Sequence, residues 1–240
     1  MSEPIQITGL TNGEFFQQYG GVGRIGFVGG ADPTNRLIAR AQRHIDADGV
    51  WSHWSHAFLF QGPRVDGHHW IIESDLDIHR KMIRLGVQEN RIAKYSDDEA
   101  YPAVGIIDLG LTTEQQQQAL THALELVSTG TRYSLREIVG TIWALRHPDW
   151  RPKENLLKQE KSFYCSAFVR HVLGRAGLNL APDVAEKNTT PEHLWRLPLP
   201  HTKWLMVRDR KPTKLAKVVG KVRAHAAKRR GGTSRSRGTE

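Results

Sequence analysis

Hydrophobic residues fall along this chain in short blocks with two distinct periods. Between Gly23 and Gly30 the run GRIGFVGG is largely apolar and ends in paired glycines, which predicts a short strand closed by a turn. After ADPTN the period lengthens: Leu37, Ile38, Ala41 and Ile45 recur at helical spacing over Arg36–Ile45, with Thr34 or Asn35 as the capping residue. DADG makes a turn, and SHAFLF, residues 55–60, returns to strand character. QGPRVDG has loop chemistry because Gly, Pro and Asp favour turn geometries. His69–Glu73 (HWIIE) follows as the second arm of a hairpin, and Tyr101–Leu109 (YPAVGIIDL) is a third extended piece.

Helical spacing takes over further along. Thr112 or Thr113 opens a helix through Ser128, with Leu120, Ala123, Leu124 and Val127 on one face and Gly130 as its terminator. Residues 133–146 (YSLREIVGTIWALR) predict another, closed by His147 and Pro148. Phe163–Leu173 (FYCSAFVRHVL) sets Phe168, Val169, Val172 and Leu173 in a buried stripe, with Gly174 and Gly177 where that helix should stop. Strands early and helices late, around a small antiparallel β-sheet, indicate an α+β domain.

Composition adds scale. A chain of 240 residues with 39% hydrophobic content, seven Trp, seven Phe and five Tyr can bury a substantial core, so one large domain with an appendage is expected. No apolar run reaches the ~20 residues a membrane helix needs. The opening MSEPIQITGLTNGEFF lacks a secretory pattern, so a cytoplasmic location is the expectation, with export by a route that uses no cleaved signal left open. The net charge of +9 is uneven. From Lys203 onward there are 13 Lys and Arg against Asp209 and Glu240, leaving 21 basic and 23 acidic residues in positions 1–202. The division is therefore a domain over 1–205 and a basic tail over 206–240. Within the tail, residues 212–230 place Leu215, Val218, Val219 and Val222 on one helical face, and GGTSRSRGTE has the composition of a disordered end. A basic amphipathic segment of this kind lies on anionic lipid, follows a nucleic-acid backbone, or serves as a charged extension packed on the domain. The absence of interleaved aromatic residues disfavours stacking on single-stranded bases.

The single cysteine, Cys165, excludes an internal disulfide and a cysteine-rich zinc site. A thiol at its ordinary pKa of ~8.5 is mostly protonated at neutral pH, and a helix N-terminus or a neighbouring imidazolium activates it. Cys165 stands at the opening of the FYCSAFVRHVL helix, whose free N–H groups also suit an oxyanion. The same position equally fits a buried small hydrophobe. Of the 12 histidines, His56 opens a strand directly after Ser55, on the face of Phe58 and Phe60. Glu73, on the partner strand, is placed to hold its second ring nitrogen. A metal reading competes through His53, His56, His68, His69, Asp75, Asp77 and His79, but strand alternation separates His68 from His69 and no HExxH helix is present. No cofactor or metal is expected.

Taken together, WSHAFLF, HHWIIESD, GTRYSLREIVG, FYCSAFVRHVLGRAGL and TTPEHLWRL, in that order over about residues 20–200, resemble the permuted branch of the NlpC-type papain-like superfamily. Within it the resemblance is to the YiiX/YebB-like set of bacterial proteins, and more distantly to lecithin-retinol-acyltransferase-like proteins. It implies a permuted papain-like fold in which the base precedes the nucleophile. Carried over, it makes Cys165 the nucleophile, His56 the base and Glu73 its orienting carboxylate, with Tyr164 and Ser166 flanking the nucleophile in supporting or oxyanion roles. The implied reaction is acyl transfer from an amide or ester, on a peptide or lipid-like substrate. The strand reads SHAFLF where the family has a small residue and then aliphatics, and Trp51 and Trp54 are additions; these departures bear on the substrate pocket. Trp51, Trp54 and Ser55 are accordingly the candidate substrate-binding residues, although tryptophans here also suit core packing. The competing function is a nucleic-acid- or membrane-binding protein on an inactive scaffold of this type, acting through residues 203–240.

Overall fold

The computed structural model describes residues 3–45, 49, 51–79, 82–130 and 164–208. The chain divides into two units, Met1–Val207 and Arg208–Glu240. The helices expected over 133–146 and 212–230, and the final ten residues, lie outside the described residues.

The elements of the first unit are β1 (Ile5–Gln6), α1 (Asn12–Tyr19), β2 (Ile25–Gly29), α2 (Pro33–Ala41), β3 (His56–Pro63), β4 (His69–His79), β5 (Met82–Arg91), β6 (Ala103–Asp108), α3 (Thr113–Ser128), α4 (Cys165–Arg175), α5 (Pro191–Trp195) and β7 (Thr202–Val207). Short 3-10 turns cover Gln42–His44, Ile92–Tyr95 and Glu186–Asn188. The strands form one seven-stranded sheet in the order β1-β7-β6-β2-β3-β4-β5. It is mixed, because β1 pairs with β7 in parallel while all other neighbours are antiparallel. This corrects the expected small antiparallel sheet: the architecture is α+β, but larger, and its last strand comes after the helices.

Strand alternation sorts the core into two layers. Ile25, Phe27, Ala57, Leu59, Ile72 and Ile107 face one cluster, covered by residues of α3, α4 and α5. Val28, Phe58, Phe60, Ile71, Val104 and Ile106 face the other, with Phe15 and Phe16 of α1 and Tyr95. Apolar residues on both sides of β2 and β3 explain why GRIGFVGG and SHAFLF read as near-continuous hydrophobic runs.

Several boundaries differ from expectation. Asp32, not Thr34 or Asn35, caps α2: its carboxylate accepts from the Thr34 and Asn35 amides at 2.9 and 3.1 Å, and Pro33 occupies the first turn. β3 runs on through Gln61–Pro63 because a bulge between Phe60 and Gly62 takes up Gln61 as the extra residue, so the reversal begins only at Arg64. On α3 the buried positions are Ala119 and Ala123, while Leu124 is exposed. Helix α4 passes through Gly174 and ends at Arg175, with Ala176 as its cap and Gly177 next, whose φ of 85° suits a residue without a Cβ.

Candidate active site

Helix α4 begins at Cys165 because Tyr164 is extended (φ −99°, ψ 169°) and the first helical bond runs from the Phe168 N–H to the Tyr164 carbonyl at 2.9 Å. The amides of Cys165, Ser166 and Ala167 therefore precede the helical ladder, at the positive end of the helix dipole. Cys165 is 6% exposed and belongs to the cluster under α4. Helix α4 is fastened by two side chains. The buried Ser166 hydroxyl donates to the Thr189 carbonyl at 2.7 Å, and Arg170 donates to Thr189 Oγ1 at 2.7 Å and to the Val184 carbonyl. The Tyr164 hydroxyl donates to the Lys187 carbonyl at 3.1 Å. Tyr164 and Ser166 thus use their side chains to anchor the helix, and the backbone amides are the donors that remain at this end.

His56 is the first residue of β3, paired with Val28 of β2. Ser55 holds that strand start: its hydroxyl donates to the Val28 carbonyl at 3.2 Å and accepts from the Gly30 amide at 3.1 Å. Gln42 adds a second clamp, donating to the Trp54 carbonyl at 2.7 Å and accepting from the Glu192 amide at 2.8 Å. His56 is buried, 9% exposed. Nε2 lies 2.7 Å from Glu73 Oε2. Cys165 is the other neighbour that acts on the ring, favouring its charged form.

Glu73 is fully buried and carries four partners. Oε2 takes His56 and the Tyr95 hydroxyl at 2.5 Å; Oε1 takes Asn90 Nδ2 at 2.7 Å and Lys94 Nζ at 2.9 Å. Lys94 also reaches Asp75 Oδ2 at 2.7 Å. Burial works to raise the Glu73 carboxyl, but the hydrogen bond and charge of His56, then Lys94 and Tyr95, outweigh it and hold the group well below the usual carboxylate range. Burial likewise works to lower the His56 pKa. The charge and hydrogen bond of Cys165, followed by Glu73 and Asp75, overcome it and hold the ring well above its ordinary value, as a cation. Tyr95 is pushed far up by burial and the two carboxylates, so it stays a donor. Its ring stacks on Phe58 at 5.2 Å with planes 6° apart.

The structure thus brings Cys165, His56 and Glu73 together and adds Tyr95, Lys94 and Asn90, which the sequence did not assign to this site, and Asp75, weighed there only as a metal ligand. Asn90 was detectable in principle. Ile83, Leu85 and Val87 alternate with polar residues, a strand signal, and the pairing of Ile71 with Asn90 puts that amide diagonal to Glu73 on one face. Of the substrate-binding candidates, Trp54 is a correction: it is 0% exposed and packed on Phe27 at 5.4 Å and Trp195 at 4.6 Å, because the sheet and α5 close over it. Ser55 is likewise buried and committed to the strand clamp. Trp51 is 50% exposed, with the Arg40 guanidinium 5.1 Å from its ring centre.

Of the histidines and acids weighed as metal ligands, His56 and Asp75 converge, with Glu73: their ligand atoms lie within 4.8 Å of one another. The donor set does not favour an ion there. Both Glu73 oxygens already accept two donors, and an ammonium group bridges the two carboxylates where a cation would sit.

Among the described residues, no helix is long and apolar enough to cross a membrane. No family profile matches the chain, and no curated protein matches it in sequence. Among solved structures, the chain is similar to a protein of Escherichia coli O157:H7 described as the metalloprotein yiiX, DUF1105. Identity is 14% and the TM-score 0.47, over 79% of this chain and 97% of that one. At that level the likeness defines neither a family nor an activity.

Proposed function

We propose that the protein is a cysteine-dependent acyl hydrolase of papain-like type, in which the base, His56, precedes the nucleophile, Cys165, in the chain. The observation that carries this reading is the buried imidazole bonded to Glu73 Oε2 at 2.7 Å, with Cys165, at a helix start, the neighbour that acts on the same ring. In this scheme the Cys165 thiolate attacks the carbonyl carbon of an amide or ester. A C–S bond forms, and the oxygen takes the negative charge opposite the amides at the start of α4. Collapse breaks the bond to the leaving nitrogen or oxygen, which receives the His56 proton; His56 then takes a proton from the water that cleaves the thioester. Glu73 keeps the ring oriented and balances the imidazolium.

The test is the rate of Cys165 labelling by iodoacetamide at pH 7, with the urea-unfolded chain as reference. Native wild type should label faster than the unfolded chain, and His56→Ala should lower the native rate by about tenfold or more. A native thiol no faster than the unfolded one, and indifferent to His56→Ala, would overturn the proposal.

A further inference from the structure

Glu73 and Asp75 are two apart on β4 and so share a face, one of them fully buried. Two carboxylates that close repel, and each drives the other toward its neutral acid. The 3-10 turn Ile92–Tyr95 delivers an answer to both, with Lys94 between the carboxylates and Tyr95 under the first. We infer that Lys94 and Asp75 are positioning residues for the base: Lys94 Nζ, 2.9 Å from Glu73 Oε1 and 2.7 Å from Asp75 Oδ2, clamps the carboxylate with its other oxygen on His56, while Asp75 anchors the lysine and sets a second negative charge behind the ring. The inference rests on His56 being the base of Cys165.

The charged and titratable groups around His56 come from three elements: Cys165 from α4, Glu73 and Asp75 from β4, and Lys94 and Tyr95 from the turn. Their effects have opposite signs on the two sides of the pH profile. Lys94 is one of the charges that keeps the Glu73 carboxyl low. Without it, Glu73 takes up a proton at higher pH and releases the ring, so the acid limb of thiol reactivity moves up. Asp75 is one of the charges that keeps His56 protonated. Without it, the ring loses its proton at lower pH, so the basic limb moves down. A merely structural role would scale the rate and leave both limbs in place.

The experiment is the pH profile of Cys165 labelling by iodoacetate, an anion whose rate falls when the imidazolium that attracts it loses its proton, in wild type, Lys94→Met, Lys94→Arg, Asp75→Asn and His56→Ala. Lys94→Met should shift the acid limb up by about one pH unit, the lower end of the usual effect of an adjacent opposite charge. Lys94→Arg should restore it, and Asp75→Asn should shift the basic limb down. Should the Met variant fail to fold, Lys94→Gln decides: a shifted acid limb supports the clamp and a wild-type limb overturns it. Lysine and aspartate variants that superimpose on wild type, while His56→Ala flattens the profile, overturn the clamp and leave the base in place. A His56→Ala profile identical to wild type overturns the base itself, and the clamp with it.

Discussion

Glu73 spends two oxygens on four donors, and each bond removes a freedom that His56 would otherwise have. Replacing it with glutamine keeps the shape but reverses half of this. The new NH2 must face either His56 and Tyr95 or Asn90 and Lys94, all of which are donors where the carboxylate now accepts. The variant Glu73→Gln should therefore lose about a hundredfold or more in Cys165 labelling rate, within the usual span for a disabled base. It should also lose about 1–3 kcal/mol of stability by urea unfolding, for the buried donors left unmet. Labelling at the wild-type rate would remove Glu73 from the machinery of the base. At this scale the chain was partly legible. Cys165 and His56 each open an element that local spacing exposes, and Glu73 closes the HWIIE run although it lies inside the longer β4. Tyr95 and Lys94 do not, because IAKY looks like an ordinary loop segment and only the fold sets it against β4.

The proposed base, His56, is only as steady as the element that carries it. Gly26 of β2 lies beside Phe58 of β3, and a Cβ there would come within 2.0 Å of the Phe58 ring. That ring stacks on Tyr95, which in turn donates to Glu73. Gly26→Ala should therefore cost about 1–3 kcal/mol or more, as overpacked cores do, and should slow Cys165 labelling through Tyr95 and Glu73. An unchanged melting temperature would mean that the two strands separate without disturbing the stack. Elements with a clean period were recognisable: β2, the start of β3, the start of β4, β6, α3 and α4 all lie where the pattern puts them, within a few residues. β5 was missed although Ile83, Leu85 and Val87 alternate, because Arg84, Gly86 and Glu89 dilute the run. β1 was missed because two residues carry too little pattern, and β7 because its TKWLMV run opens on polar Thr202 and Lys203 at the edge of the basic tail.

For the molecule as a whole, the buried pair makes stability depend on pH from both sides. Glu73 has a folded pKa below its unfolded value of ~4.3, so its contribution is present above that pH and fades as the pH falls through the lower folded value. His56 has a folded pKa above its unfolded value of ~6.5, so its contribution is complete below that pH and fades as the pH rises through the higher folded value. Both are fully present between ~4.3 and ~6.5. Urea midpoints measured across pH should peak in that window, and the double variant His56→Ala, Glu73→Gln should flatten the peak. A peak that persists in the double variant would place the pH dependence elsewhere. What the sequence determined alone was local: where chain segments become strand or helix, that Cys165 opens a helix, and that His56 opens a strand. Backbone periodicity and capping act over a few residues, so they can be read from neighbours. The seven-strand order, the burial of Trp54 and the Lys94–Glu73–Asp75 clamp were decided only by tertiary structure. They depend on register between distant strands and on water being removed from charged groups, and a linear pattern carries neither.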